Sequence, residues 1–414
     1  MALLAWGHGA SGRTGKLSKL SFGLCRFALR PLLALIEVGS VTIDLPGGDR
    51  IQHIGATPGP EAHIHFQQWR SLRRIIMEGD IGFARGYFEG EWTTPDLTAV
   101  IELGARNGQR FMDALSGSAP FRILNWFAHR GNENTKHGSR RNILAHYDLG
   151  NEFYRLWLDK SMMYSSAIFK DRDVSLEDAQ ADRLERIVDK LAVDPSSTIL
   201  EIGSGWGAMA LKLARSGVKR VTSLTISPSQ LAEARARAET ADVADRIEFK
   251  LQDYRDAQGR FDRVVSIEMI EAVGKKFLPK YFETIRDRLK PEGICVLQAI
   301  TIAEDRFAEY CRRPDFIQRY VFPGGFLPSK SFMRETLEKA GLRLVAAETF
   351  GDSYALTLKE WRRRFVEAWP QIERMGFDAP FKRLWEYYLC YCEAGFRTGT
   401  VDVGLYCIQL APPN

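Results

Sequence analysis

The chain contains no run of the roughly 18–20 consecutive apolar residues that a membrane-crossing helix needs, so no transmembrane span is predicted. Residues 1–15 are glycine-rich and basic. They lack the apolar centre and small-residue cleavage site of a secretory leader, and a cytoplasmic location is the expectation. Cysteine is scarce, six in 414 residues, and Cys25, Cys295, Cys311, Cys390, Cys392 and Cys407 form no C-x-x-C pair. That excludes a zinc ribbon, and in a cytosolic chain the thiols are read as reduced side chains in or near the core. Internal repeats and long low-complexity tracts are absent as well. What remains is an ordinary globular composition, 45% hydrophobic and 26% charged, on a chain long enough for two domains.

Positive charge is uneven. Residues 1–145 carry 17 Lys and Arg against 12 Asp and Glu, whereas the rest carries 40 of each. The whole excess lies in the first third, which points to an anionic partner. Within it, residues 14–37 place Leu17, Leu20, Leu24 and Phe27 at helical spacing among Lys16, Lys19, Arg26 and Arg30. Two readings stand: a basic amphipathic helix on anionic lipid, or a helix packed on its own domain. Residues 40–66 alternate as a small β unit that turns at Pro46-Gly47-Gly48-Asp49. His63 and His65 share one face of its last strand. Two ligands without a third do not make a metal site, so an exposed strand face is expected and no metal is assigned. Helices are predicted over 67–78 and 95–115, with a Gly- and aromatic-rich break at 79–92. Residues 116–145 are polar and basic and include Trp126-Phe127. They divide an N-terminal domain (1–115) from a catalytic domain (146–414) as a basic connector.

From residue 175 the pattern becomes strand–helix alternation, which means an α/β fold: a mostly parallel, doubly wound sheet with helices on both faces, beside a smaller mixed α+β N-terminal domain. Ile199-Leu200-Glu201-Ile202-Gly203-Ser204-Gly205-Trp206-Gly207 follows a strand and opens a helix. Glycines there let the backbone turn tightly and approach a ligand at the sheet's carboxyl edge. The G-x-G-x-G spacing is not the G-x-G-x-x-G of a dinucleotide site. Together with the missing acid after the second strand, it argues against a nicotinamide-dependent dehydrogenase. The next two strand ends carry Thr225-Ile226-Ser227-Pro228-Ser229-Gln230 and Gln252-Asp253-Tyr254. Thr225, Ile226 and Gln230 are candidates for the ribose of a nucleoside cofactor. Asp253 can accept from an adenine amino group, with Tyr254 flanking the ring.

The loop with Glu201, Gly203, Gly205 and Gly207 resembles the first motif of class I methyltransferases, whose acid serves the amino-acid end of S-adenosylmethionine. The likeness extends to the cyclopropane-fatty-acyl-phospholipid synthase family. It is carried by His146-Tyr147-Asp148-Leu149-Gly150-Asn151, Met163-Tyr164-Ser165-Ser166-Ala167, Glu271-Ala272-Val273-Gly274, Tyr320 to Ser329 with its Phe-Pro-Gly-Gly-x-Leu-Pro-Ser run, and Ala394-Gly395-Phe396-Arg397. These runs span 146–410 in the family's order. The resemblance implies a Rossmann-like methyltransferase sheet, S-adenosylmethionine as cofactor with Tyr164 and Ser165 among its contacts, and methyl transfer to the double bond of an unsaturated phospholipid acyl chain through a carbocation. It also implies a bound bicarbonate base held by Glu271, the backbone of Ile300, Tyr354, Ser166 where the family commonly has cysteine, and Gln298 where it has histidine. Glu268 is an extra acid. Ser and Gln also stand at these positions in the plant-type synthases. Glu271 has a structural alternative as a helix cap.

Two outcomes stay open for the product. Loss of a proton from the new methyl closes a cyclopropane ring, and loss of a different proton leaves a methyl-branched unsaturated chain. Such chemistry needs a long, dry, apolar cavity with aromatic faces. Of Phe322, Phe326, Tyr354, Trp361, Phe365, Trp385, Tyr387, Tyr388, Tyr391 and Phe396, most are read as core and only Tyr354 is assigned to the site. The expected partner is a bilayer of unsaturated phospholipid, met peripherally at the inner face of the membrane. No nucleic acid is expected, since the basic third lacks a nucleic-acid motif. A homodimer follows from the family's habit. The reading from another class is a non-catalytic lipid-surface protein.

Overall fold

The computed structural model describes residues 29–108 and 149–412; the first 28 residues, the connector 116–145 and the His146-Tyr147-Asp148 run lie outside the described residues. The small β unit is a four-stranded sheet of order β2-β1-β3-β4, with β1 Val38–Asp44, β2 Arg50–Ile54, β3 Thr57–Phe66 and β4 Trp92–Thr93. β1 pairs antiparallel with β2 and parallel with β3. Alternation sets its two faces: Val41, Ile43, Ile64 and Phe66 are buried, while Thr42, Asp44, His63 and His65 face outward.

Most of the Gly- and aromatic-rich 79–92 segment is helical, up to Phe88. One helix, α1, runs Trp69–Phe88 with a kink at Gly79, whose φ of 68° and ψ of −138° leave the helical region. Gly82 stays helical because of close packing: a Cβ there would lie 2.6 Å from the Arg74 carbonyl oxygen. Glycine here serves approach rather than a break, which composition cannot distinguish. Helix α2, Leu97–Arg106, is capped by Asp96, whose side chain accepts from Ala99 N–H.

The second sheet has the alternation expected. Its seven strands are ordered β10-β11-β9-β8-β5-β6-β7: β5 Thr198–Ile202, β6 Arg220–Thr225, β7 Ile247–Leu251, β8 Phe261–Ile267, β9 Leu289–Ile302, β10 Leu342–Thr349 and β11 Val401–Leu410. Only β11 runs against its neighbours, and the other pairings are parallel. Ile199, Leu200, Ile202, Val264, Val265, Val296 and Leu297 are almost wholly buried, as expected of central parallel strands covered on both faces. After the short α3 (Asn151–Arg155), the helices are α4 Leu176–Leu191, α5 Ala208–Arg215, α6 Pro228–Thr240, α7 Leu278–Arg288, α8 Glu304–Tyr310 and α9 Lys330–Lys339. Ser227 caps α6 with Pro228 at its first turn, and Ser329 caps α9.

Two long helices, unassigned in the sequence, fill the interval before β11: α10 Gly351–Arg374 and α11 Ala379–Arg397. They carry most of the late aromatics. One apolar cluster runs from the small sheet (Ile43, Phe66) and α2 (Leu103) into them (Trp361, Phe365, Trp385). No described helix is long and apolar enough to cross a membrane. The five cysteines among the described residues are free.

Candidate active site

The cofactor loop is anchored before it turns. Gly203 and Ser204 N–H groups both donate to the Leu224 carbonyl on β6, at 3.0 and 2.8 Å. Gly205 has φ +50°, and a Cβ there would meet no protein atom within 4 Å. Its open side faces the cavity, so a ligand can come against the backbone. Gly207 does different work: its Cβ would lie 3.0 Å from that of Ala234, so it lets α5 start against α6 and does not line the cavity. Glu201, 2% exposed, accepts from the Ser223 hydroxyl, and burial pushes its carboxyl up to about 8. Thr225 and Gln230 bond to each other at 3.1 Å. Asp253 is gripped by Arg255 through Nε at 2.8 Å and Nη2 at 2.6 Å. Tyr254 stands edge-on to Tyr281 at 5.3 Å. With Gly203, Ile226, Tyr164 and Ser165, these groups line one cavity of about 1410 Å³. The volume exceeds the ~300–1,000 Å³ of a single small-molecule pocket. An open glycine edge, a buried acid, an amide and a flanking ring suit a nucleoside cofactor with an amino-acid end.

Beyond that edge lies an acid centre whose hub is Glu268, the residue read as extra. It follows β8 directly with φ +46°, a left-handed backbone that few non-glycine residues adopt. Glu268 Oε1 accepts from Ser166 N–H at 2.8 Å and Gln298 Nε2 at 2.7 Å; Oε2 accepts from the Tyr354 hydroxyl at 2.7 Å. Three residues assigned to bicarbonate thus donate to one side-chain carboxylate. The Ser166 hydroxyl is turned away and donates to the Ala167 carbonyl at 2.9 Å; only its backbone faces the centre. Glu271 accepts from Ile300 N–H at 2.6 Å, so its side chain is not a helix cap. Its Oε2 is buried with no hydrogen-bond partner among the described residues. All five predicted catalytic residues therefore gather here, around an acid the sequence reading left without a role.

The two carboxyls differ. Burial pushes both up; the charge of Glu268 adds to the rise at Glu271, which reaches about 8. Glu268 is held down by Tyr354, Ser166 and Arg183, so it ionises first of the pair. Arg183, fully buried, was not found in the sequence. It donates to Gln298 Oε1 at 3.0 Å and to Gln180 Oε1 at 3.2 Å, which turns the Gln298 amide so that its NH₂ meets Glu268. Burial lowers Arg183 to about 10, so it stays charged at neutral pH. A signal existed: Gln180 and Arg183 interrupt the otherwise apolar stripe Leu176, Ala179, Leu184, Ile187 and Leu191 of α4.

Past the acids the cavity is largely apolar, with Asp80, Asp315 and Arg313 among its polar lining, and reaches the inner face of the small sheet at Ile43, Ile64 and Phe66. Seven of the ten late aromatics line it (Phe322, Phe326, Tyr354, Tyr387, Tyr388, Tyr391 and Phe396), while Trp361, Phe365 and Trp385 do not and belong to the core. α10 and α11 bring five of the seven there, all but Phe322 and Phe326, and neither helix was assigned.

A protein-family model described as mycolic acid cyclopropane synthetase matches residues 134–406. The tuberculostearic acid methyltransferase of Mycobacterium tuberculosis is 38% identical over 346 residues, 80% of this chain and 79% of that protein. The cyclopropane-fatty-acyl-phospholipid synthase of Escherichia coli K12 is 34% identical over 346 residues, 80% of this chain and 84% of that protein. The crystal structure of a mycolic acid cyclopropane synthase complexed with SAH and CTAB matches with TM-score 0.61 and 28% identity over 65% of this chain and 98% of that one. Coclaurine N-methyltransferase, bound to N-methylheliamine and SAH, matches at TM-score 0.61 and 18% identity over 80% of this chain and 99% of that one, a likeness of fold alone.

Proposed function

The chain belongs to the mycolic acid cyclopropane synthetase family and is an S-adenosylmethionine-dependent C-methyltransferase, and on that premise we propose that it methylates the double bond of an unsaturated acyl chain of a membrane phospholipid. When bound, S-adenosylmethionine supplies an electrophilic methyl on a sulfonium. Glu201 and the Gly203–Gly205 edge would hold its amino-acid end, Gln230 and Thr225 its ribose, and Asp253 and Tyr254 its adenine. The alkene carbon that takes the methyl leaves a cation on its neighbour. The aromatic wall and Glu268 line the same cavity, and aromatic faces and a carboxylate there would lower the energy of that cation.

The observation that carries the reading is the convergence of Ser166, Gln298 and Tyr354 on Glu268. Those three residues are the ones the resemblance assigns to bicarbonate, which supports Glu268 as the proton acceptor with no external anion required. A proton passes from the methylated chain to Glu268. If it leaves the new methyl, that carbon's electron pair closes the ring. The 38% identity to a tuberculostearic acid methyltransferase favours a second reading, in which the same cation loses a different proton and yields a methyl-branched unsaturated chain. Residues 1–115 and the connector 116–145 are proposed to seat the enzyme on the bilayer, ahead of the catalytic part, 146–414. Ile76, 68% exposed, and the exposed Arg312 both line the cavity and mark where a chain can enter.

The test is gas chromatography–mass spectrometry of acyl chains after incubation with S-adenosylmethionine and monounsaturated phospholipid vesicles, with and without bicarbonate in degassed buffer. A ring-containing product that needs no bicarbonate is expected. A methyl-branched alkene selects the second reading. Strict dependence on bicarbonate overturns Glu268 as base, and no gain in mass overturns the function.

A further inference from the structure

The paired histidines of β3 gain a third partner in the fold. In a strand of period two, His63 and His65 stand on one face, and their rings lie 4.0 Å apart. β1 runs parallel beside them in a register that sets Asp44 opposite His65. His63 Nε2 and His65 Nδ1 each lie 2.8 Å from the same oxygen, Asp44 Oδ2. These three ligand atoms fall within 4.8 Å of one another, and all three side chains are part-exposed. Metal–ligand bonds of about 2.0–2.2 Å require only a slight spreading of that triangle. We propose that Asp44, His63 and His65 form a site for a divalent transition ion of the zinc class, held by two imidazoles and one carboxylate with a remaining position open to water.

The donor set selects the class: imidazole and carboxylate suit zinc, cobalt and nickel, and the absence of thiolate disfavours copper(I). Arg50 shapes the site from β2. Its Nε holds Asp44 Oδ1 at 2.6 Å and so orients the carboxylate, while its Nη2 reaches Oδ2 at 3.2 Å and competes with a cation. A bound ion would clamp β1 to β3 across the outer face of the sheet, whose inner residues Ile43, Ile64 and Phe66 line the cavity. The site stands apart from the acid centre and does not depend on the proposed reaction.

The experiment titrates the full-length, chelator-stripped protein with cobalt(II), followed by visible absorption, and then displaces the cobalt with zinc(II). One saturable equivalent with ligand-field bands is expected. His63→Gln and His65→Gln should each weaken binding about tenfold or more while keeping the melting temperature of the metal-free protein. Arg50→Gln should tighten it. An absence of saturable binding overturns the proposal, as does binding unchanged in both histidine variants, which would place the ion on other residues. Zinc should raise the melting temperature of the parent protein but not of His63→Gln; an equal rise in both also overturns it.

Discussion

Asp44 on the small sheet and the Glu268–Glu271 pair at the edge of the large one are carboxylate centres built in opposite surroundings. Asp44 faces solvent, and the Arg50 guanidinium above all, then His63, holds its carboxyl below the ordinary range. The paired acids are wrapped by apolar walls and burial pushes them up, Glu271 to about 8. Water screens the first centre and is excluded from the second. The same functional group is therefore a modest surface partner in one place and a source of reactivity in the other. Donor count separates the buried acids further: three donors converge on Glu268, and one reaches Glu271.

The sharpest way to break this contrast is to remove the hub. Glu268→Gln should lower product formation by about 10²–10⁴-fold, the range of a lost acid–base group, with S-adenosylmethionine affinity by calorimetry unchanged. In Glu268→Ala the three donors are freed, and added bicarbonate or formate should restore part of the activity. Full activity in Glu268→Gln would remove Glu268 from the proton transfer and return the role to a bound bicarbonate. Next comes Arg183→Met, which leaves Glu268 without its compensating charge. Denaturant unfolding should show a loss of about 3–5 kcal/mol, and the acidic limb of the pH–rate profile should move to higher pH. A loss of stability with the limb unmoved would make Arg183 a packing residue only.

The pH dependence of stability follows from the raised acids. Glu201 and Glu271 both ordinarily titrate near 4.5 and are lifted to about 8 in the fold. The folded chain therefore holds protons that the unfolded chain releases, and their contribution is full below 4.5 and is lost as pH rises toward 8. Urea midpoints should fall over that window, and Glu271→Gln should flatten the fall. The smallest effect is expected at the exposed centre. Asp44→Asn should change stability by less than about 1 kcal/mol, and salt should erase the difference; a larger loss would show that the outer cluster organises the small sheet.

Legibility tracks the distance over which information has to travel. The loop from Glu201 to Gly207 was readable because strand, turn and helix start adjoin in the chain, and a backbone that must turn sharply needs glycine locally. The large sheet was readable for the same reason, since alternation is a local period. Glu268 was visible as a spare acid, yet its role depends on Ser166, Gln298 and Tyr354, which lie 102, 30 and 86 residues away along the chain. The helical stretch 80–88 was not assigned because glycine kept for close packing, as at Gly82, looks like glycine kept for a turn. The histidine pair was seen, but its partner Asp44 comes from another strand.

By itself, then, the sequence determined the doubly wound sheet and the glycine loop, because periodicity and turn chemistry act between near neighbours; Ser166, Gln298 and Tyr354 came from the family resemblance. The tertiary structure alone decided which carboxylate those donors meet, that Arg183 stands behind them, and that the small sheet walls the cavity. Hydrogen bonds and desolvation depend on what lies within a few ångströms in space, and pattern along the chain does not record that.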